Sequence, residues 1–128
     1  MKVRLLNNRL AEMDIKPSNF PIKSENSCRS KIQYEVGQYL VKKFPFDPIL
    51  EDVPTPEGFY FDFFLPKRKL AFEIQGQQHS KFVQFFHKTQ AGFNQSKIRD
   101  NNKREFCRIN DISLVEITSV EELEQLWK

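Results

Sequence analysis

Ile32, Val36, Tyr39 and Leu40 recur at the i, i+4, i+7, i+8 spacing that lines one face of a helix. They predict a helix from about Ser27 to Lys43, ended by Pro45 and Pro48. Gly37 sits inside it, where glycine costs about 1 kcal/mol relative to alanine, and points to close approach of a sheet. Short apolar runs follow. Ile49–Val53, the aromatic Phe59–Leu65 and Lys69–Gln75 read as strands, with Pro54-Thr55-Pro56-Glu57-Gly58 and Pro66-Lys67-Arg68 as the turns between them. Gly76 marks the end of the third run, and residues 77–92 read as a loop with one helical turn. Gly92–Asn110 reads as a helix with Ile98, Phe106 and Ile109 on one side. Ile112–Ile117 reads as a strand, and a terminal helix starts at Ser119 with Glu121 and Glu122 in its first turn. Upstream, residues 2–13 read as a short helix, broken by Lys16-Pro17-Ser18-Asn19-Phe20-Pro21.

The order helix, three strands, helix, strand, helix predicts an α/β fold. Its expected form is a mixed central β-sheet of about four strands flanked by helices. Residues 1–25 are expected to form an N-terminal arm or short helix, and residues 26–128 the α/β domain. With 128 residues, 39% hydrophobic and 29% charged, the chain reads as neither disordered nor a membrane span. Thirteen Phe residues can fill its core. The first residues turn polar too soon for a signal peptide. Cys28 and Cys107 are far apart and form no C-x-x-C pair, which fits a reducing cytoplasm.

Charge changes the picture further. The net formal charge is only +3, yet residues 67–108 hold ten Lys/Arg against Glu73, Asp100 and Glu105, a local +7. Residues 1–46 carry +5 and residues 110–128 carry −4. Two basic segments in so small a domain suit a polyanionic partner such as nucleic acid. A solvated surface beside an acidic terminal helix is the plainer reading.

The central hairpin carries the candidate chemistry. If Lys67 and Arg68 form the turn, paired positions sum to 135 and Asp62 faces Glu73 across the strands. Phe61, Phe63, Phe72 and Ile74 surround them, so two like charges would be partly buried together. Such a pair needs a shared proton or a cation, and oxygen-only ligation suits Mg²⁺. A different loop length would separate the two. Gln75 shares a strand face with Glu73 and can orient a water. His79, in the loop after Gly76, can take or give a proton; a solvated loop histidine is the alternative, and His87 reads as solvated. Glu35 lies at the edge of the first helix's apolar stripe and can point toward the sheet, or else into solvent. Asp100 and Lys103, one turn apart, are expected largely opposite Ile98, Phe106 and Ile109, on a face shared with Lys97 and Arg104. That face is either phosphate-facing or simply solvated.

Five segments together carry a resemblance. They are Glu35; Phe61-Asp62-Phe63-Phe64-Leu65-Pro66; Leu70-Ala71-Phe72-Glu73-Ile74-Gln75-Gly76-Gln77-Gln78-His79; Arg99-Asp100-Asn101-Asn102-Lys103; and Ile112-Ser113-Leu114-Val115-Glu116-Ile117. The chain over roughly residues 26–118 resembles the PD-(D/E)XK nuclease superfamily. It is most similar to the small branch of very short patch repair endonucleases and the EDxHD homing nucleases often found in phages. The resemblance implies a restriction-endonuclease-like core and an enzyme that hydrolyses DNA phosphodiester bonds with Mg²⁺ or Mn²⁺, in a bacterial or phage-infected cytoplasm. Asp62 and Glu73 match the metal-binding acids, and Glu35 the helical glutamate that supports the metal. His79 matches the branch's histidine, and Asp100 and Lys103 its helical acid and base. Gln75 falls where many members have Lys.

Three functions compete. A nuclease would hold the DNA backbone with Lys67, Arg68, Lys69, Lys81, Lys97, Arg99 and Arg104, and a homodimer would let so small a domain cut both strands. A nuclease-fold protein that binds nucleic acid with little or no cleavage is favoured by Gln75. A protein-interaction module is favoured by the Phe-rich loop of Phe82, Phe85 and Phe86.

Overall fold

The computed structural model describes residues 1–75 and 90–126. Its centre is a four-stranded sheet of β3 (Leu50–Pro54), β4 (Tyr60–Leu65), β5 (Leu70–Ile74) and β6 (Ser113–Ile117), in the order β3-β4-β5-β6. The first three strands form an antiparallel meander, and β6 joins β5 in parallel after a helical crossover, as a mixed α/β sheet requires. Helices α1 (Lys31–Lys43), α2 (Gln90–Ile109) and α3 (Val120–Leu126) complete the domain. No helix among the described residues is long and apolar enough to cross a membrane.

The sheet separates two apolar layers. Val36 and Leu40 of α1, its C-cap Phe44 and Leu123 of α3 pack with Phe63, Leu65, Phe72 and Ile117. Phe106 and Cys107 of α2 pack with Leu50, Phe61, Phe64 and Ala71. Both cysteines are free; burial pushes the Cys28 thiol up to about 11 and that of Cys107 up to about 12. Neither is poised as a thiolate nucleophile.

Helix α1 starts later than its periodicity suggests. Glu25–Ser27 form a 3₁₀ turn, and the Ser30 hydroxyl accepts from the Gln33 N–H at 3.1 Å as the N-cap. Gly37 does face the sheet: a Cβ there would lie 3.2 Å from the Phe63 ring. Phe63 is fully buried and has little room to yield. Gly37→Val is therefore expected to cost about 1–3 kcal/mol, read as a lower midpoint in urea unfolding. A variant as stable as the parent would show that the ring can move aside.

The first residues are not helical. Lys2–Arg4 (β1) and Leu10–Glu12 (β2) form an antiparallel hairpin. Its reversal lies at Leu5–Arg9, with Asn8 at φ 71°, a left-handed conformation that asparagine tolerates. The predicted helix over residues 2–13 is overridden by this turn, for which Asn7-Asn8 is the sequence signal. Nor is the segment a free arm. Val3 and Met13 are buried in the α2-side core. Asn110, at the end of α2, accepts from the Arg4 N–H at 2.7 Å and donates to the Arg4 carbonyl at 2.9 Å.

Candidate active site on the sheet

The β4–β5 connection decides the register. The Arg68 N–H donates to the Leu65 carbonyl, Lys69 adopts φ 49°, and Phe63–Phe72, Phe64–Ala71 and Leu65–Leu70 pair. The connection is four residues long, Pro66–Lys69, and keeps the expected register, so Asp62 stands opposite Glu73 at the next position. The backbone ladder stops there. Asp62 Oδ2 instead accepts the Ile74 N–H at 2.8 Å, so the carboxylate bridges the gap between the strands.

The same row extends across the whole sheet. Glu51–Phe63 and Val53–Phe61 pair on β3–β4, which puts Asp52 opposite Asp62. On the other side Glu73 pairs in register with Glu116 of β6. Four adjacent strands thus place Asp52, Asp62, Glu73 and Glu116 at one row of positions, with the Glu73 and Glu116 side chains meeting α2 and the Asp52 side chain meeting α1. Like charges at such spacing repel unless something compensates.

Cations meet three of the four. Arg104 binds Glu116 through two nitrogens at 2.7 and 2.9 Å, and this hydrogen bonding, with the Arg104 charge, holds the Glu116 carboxyl below the usual range. Lys103 Nζ lies 2.8 Å from Glu73 Oε1 and 5.6 Å from the centre of the Phe59 ring. Lys23 and Arg29 both reach Asp52, Arg29 at 3.0 Å. Asp62, 8% exposed, makes no ion pair among the described residues. Burial pushes its carboxyl up, against the Ile74 N–H and the charges of Lys103 and Arg29. Burial and the Asp62 charge push Glu73 up to about 7 despite Lys103. Glu73 Oε2 is buried with no hydrogen-bond partner among the described residues. A buried lone acceptor beside a second carboxylate is a place for a proton or a hard cation.

Asp52 departs from strand geometry, with φ 54°. Neighbouring side chains of a strand point to opposite faces. Yet Gln33 Nε2 of α1 donates to both Glu51 Oε2 (2.9 Å) and Asp52 Oδ1 (3.2 Å). The left-handed residue lets both acids reach it.

Two expectations need correction. Glu35 is exposed on α1 and does not point toward the sheet; Gln33, Val36, Gly37 and Leu40 occupy the buried stripe. Lys103 is not on a face opposite Phe106. The two lie three residues apart on the buried side of α2, while Ile98 is 58% exposed. The ion pair with Glu73 and the Phe59 ring account for the buried lysine. Asp100 is exposed, near enough to raise the Glu73 carboxyl by its charge. Gln75 is half-buried, and its N–H donates to the Ile117 carbonyl at 2.6 Å.

Of the basic residues, Lys67, Arg68 and Lys69 are exposed at the turn, about 13 Å or more along the hairpin from the Asp62–Glu73 position. Arg68 is held by Asp47 and lies over the Phe44 ring. His79, Lys81, His87, Phe82, Phe85 and Phe86, and the side chains of Lys97 and Arg99, lie outside the described residues. Sequence reasoning missed Asp52, Glu51, Gln33 and Arg29. The signal was present: two acids inside the apolar run Ile49–Val53, and a glutamine on the Val36–Leu40 stripe.

Among known proteins, the chain is 41% identical over 56 residues to the uncharacterized protein 307L of Invertebrate iridescent virus 6. That match covers 44% of this chain and only 28% of the viral protein. No family model and no solved structure matches. The residues present can be weighed for a divalent cation on their own terms. Asp62 and Glu73 offer oxygen donors, one of them unpartnered, as Mg²⁺ or Mn²⁺ prefers. No group of three or more His, Cys, Asp or Glu among the described residues is arranged to hold a metal.

Proposed function

We propose that this chain is a divalent-metal-dependent endonuclease that hydrolyses phosphodiester bonds of DNA. The observation that carries the reading is the middle of the acid row. Asp62 and Glu73 stand at facing positions, with one ion-paired cation, Lys103 on Glu73, and a buried Glu73 carboxylate oxygen left over. Structural ion pairs do not need that surplus of negative charge, and metal sites do. Asp62 and Glu73 would hold Mg²⁺ or Mn²⁺, which when bound polarises the phosphate and lowers the pKa of water. The chain's own residues supply the setting. The Ile74 N–H fixes the Asp62 carboxylate, and Lys103 fixes that of Glu73. The Lys103 charge adds to the field that a phosphate beside the pair would meet. The half-buried Gln75 can orient a water but cannot take up its proton.

A second reading has its own support. Lys103 already neutralises Glu73 without metal, which suits a nuclease-fold protein that binds nucleic acid and cuts little. Incubation of supercoiled plasmid with the protein separates the two. Nicking in Mg²⁺ or Mn²⁺ and none in EDTA is expected. Retarded plasmid without nicks under all three conditions would support the second reading and sink the first.

A further inference from the structure

Arg29 precedes the N-cap of α1 and stands at the β3 end of the acid row. Its Nη2 lies 3.0 Å from Asp52 Oδ1, and its guanidinium lies 5.9 Å from the centre of the Tyr60 ring. Asp52 is nearly buried and is itself held by Gln33 and Lys23. Arg29 is thus an exposed cation (side chain 57% accessible) fixed from behind by a rigid carboxylate and from the side by an aromatic ring. The other cations of the row differ. Lys103 is buried, Lys23 puts its single ammonium on Asp52, and Arg104 puts both Nε and Nη2 on Glu116. Arginine has five N–H donors. Among the described residues only Nη2 of Arg29 has an anionic partner, which leaves Nε and Nη1 for a ligand. The positive end of the α1 dipole lies beside it and favours anions at the same place.

We infer that Arg29, propped by Asp52 and Tyr60, is a phosphate-binding residue that positions the DNA backbone against Asp62 and Glu73. The inference rests on the reading of the row as a site that meets DNA. It adds a positioning residue from outside the hairpin and α2. Asp52 then serves to aim a cation, not to bind a metal, since its oxygens are taken by Lys23, Arg29 and Gln33. Tyr60, 48% exposed, offers a face to the sugar or base next to that phosphate.

The test is binding of the full chain to a short labelled DNA duplex in EDTA, across a salt series. Arg29→Gln is expected to weaken binding about tenfold and to lower the log–log salt slope by about one. Arg29→Lys keeps the charge and the ion pair, so it should recover the slope, while losing part of the affinity with the fork geometry. Arg108→Gln, which removes an exposed cation held by Glu105, measures the loss of one distant charge. Effects of Arg29→Gln no larger than those of Arg108→Gln overturn the inference, as does Arg29→Lys behaving like Arg29→Gln. Cleavage plays no part in this assay. A parent that binds through Arg29 but never nicks plasmid sinks the nuclease reading alone. One that nicks, yet binds equally well as Arg29→Gln, sinks the inference alone. A parent that binds no DNA sinks both.

Discussion

Asp62→Asn or Glu73→Gln is expected to reduce Mg²⁺-dependent plasmid nicking by at least about 10³-fold, on the order of 4 kcal/mol of transition-state stabilisation. The amide oxygen introduced by Asp62→Asn still accepts from the Ile74 N–H, and that introduced by Glu73→Gln still accepts from Lys103. Both changes therefore remove charge and preserve shape. DNA affinity in EDTA should hold or rise slightly, because each variant removes a negative charge near the backbone. Two variants that cut as fast as the parent would place the chemistry outside this pair.

The second large effect concerns stability without metal. Glu73 is pushed from an ordinary value of 4.5 up to about 7 by burial first and Asp62 second, and Asp62 is raised by burial. A folded state whose carboxyl pKa is raised holds its proton more tightly than the unfolded chain. The stability this contributes is complete below about pH 4.5 and is lost as pH climbs to about 7. The loss amounts to up to about 3 kcal/mol. Asp62→Asn removes the neighbouring charge and its own desolvation. In EDTA at pH 8 the variant is expected to melt several degrees above the parent, with the gap closing toward pH 4.5. Mg²⁺ should raise the parent's Tm and leave the variant's nearly unchanged. Parallel melting curves for the two proteins at every pH would show that the carboxylates do not burden the fold.

Local rules carried much of this site, and they failed at identifiable places. The β4–β5 register was legible because a turn at Lys67-Arg68 and the apolar residues around Asp62 and Glu73 constrain the same pairing. The β3–β4 register was not, since the connection through Thr55–Phe59 is set by Gly58 at φ 94° and by the Thr55 hydroxyl on the Phe59 carbonyl. Without that register Asp52 could not be placed opposite Asp62. Lys103 was misplaced for a related reason. Taken alone, a lysine marks the solvent side of a helix, and only the sheet beneath α2 supplies its carboxylate and ring. Gln33 and Glu35 show the same limit. Gln33 lies on the buried stripe and Glu35 does not, yet the ionisable Glu35 attracted the functional reading.

The clasp between Asn110 and the Arg4 backbone has a consequence for how the chain acquires its structure during synthesis. The two residues are 106 positions apart, and Val3 shares its core layer with Phe106 and Cys107. The amino-terminal hairpin therefore leaves the ribosome well before the α2 part of its core layer. At about 5–20 residues per second its partners in α2 follow roughly 5–20 s later. A two-stranded hairpin is marginal alone, and its core layer takes Leu50, Phe61 and Phe64 as well as α2, so its packing is complete only when the crossover helix arrives. Docking of the hairpin is then a late event in folding. Ribosome-stalled chains that end before Asn110 should remain open to proteolysis within residues 1–25, and chains that extend past Ile117 and clear the exit tunnel should not.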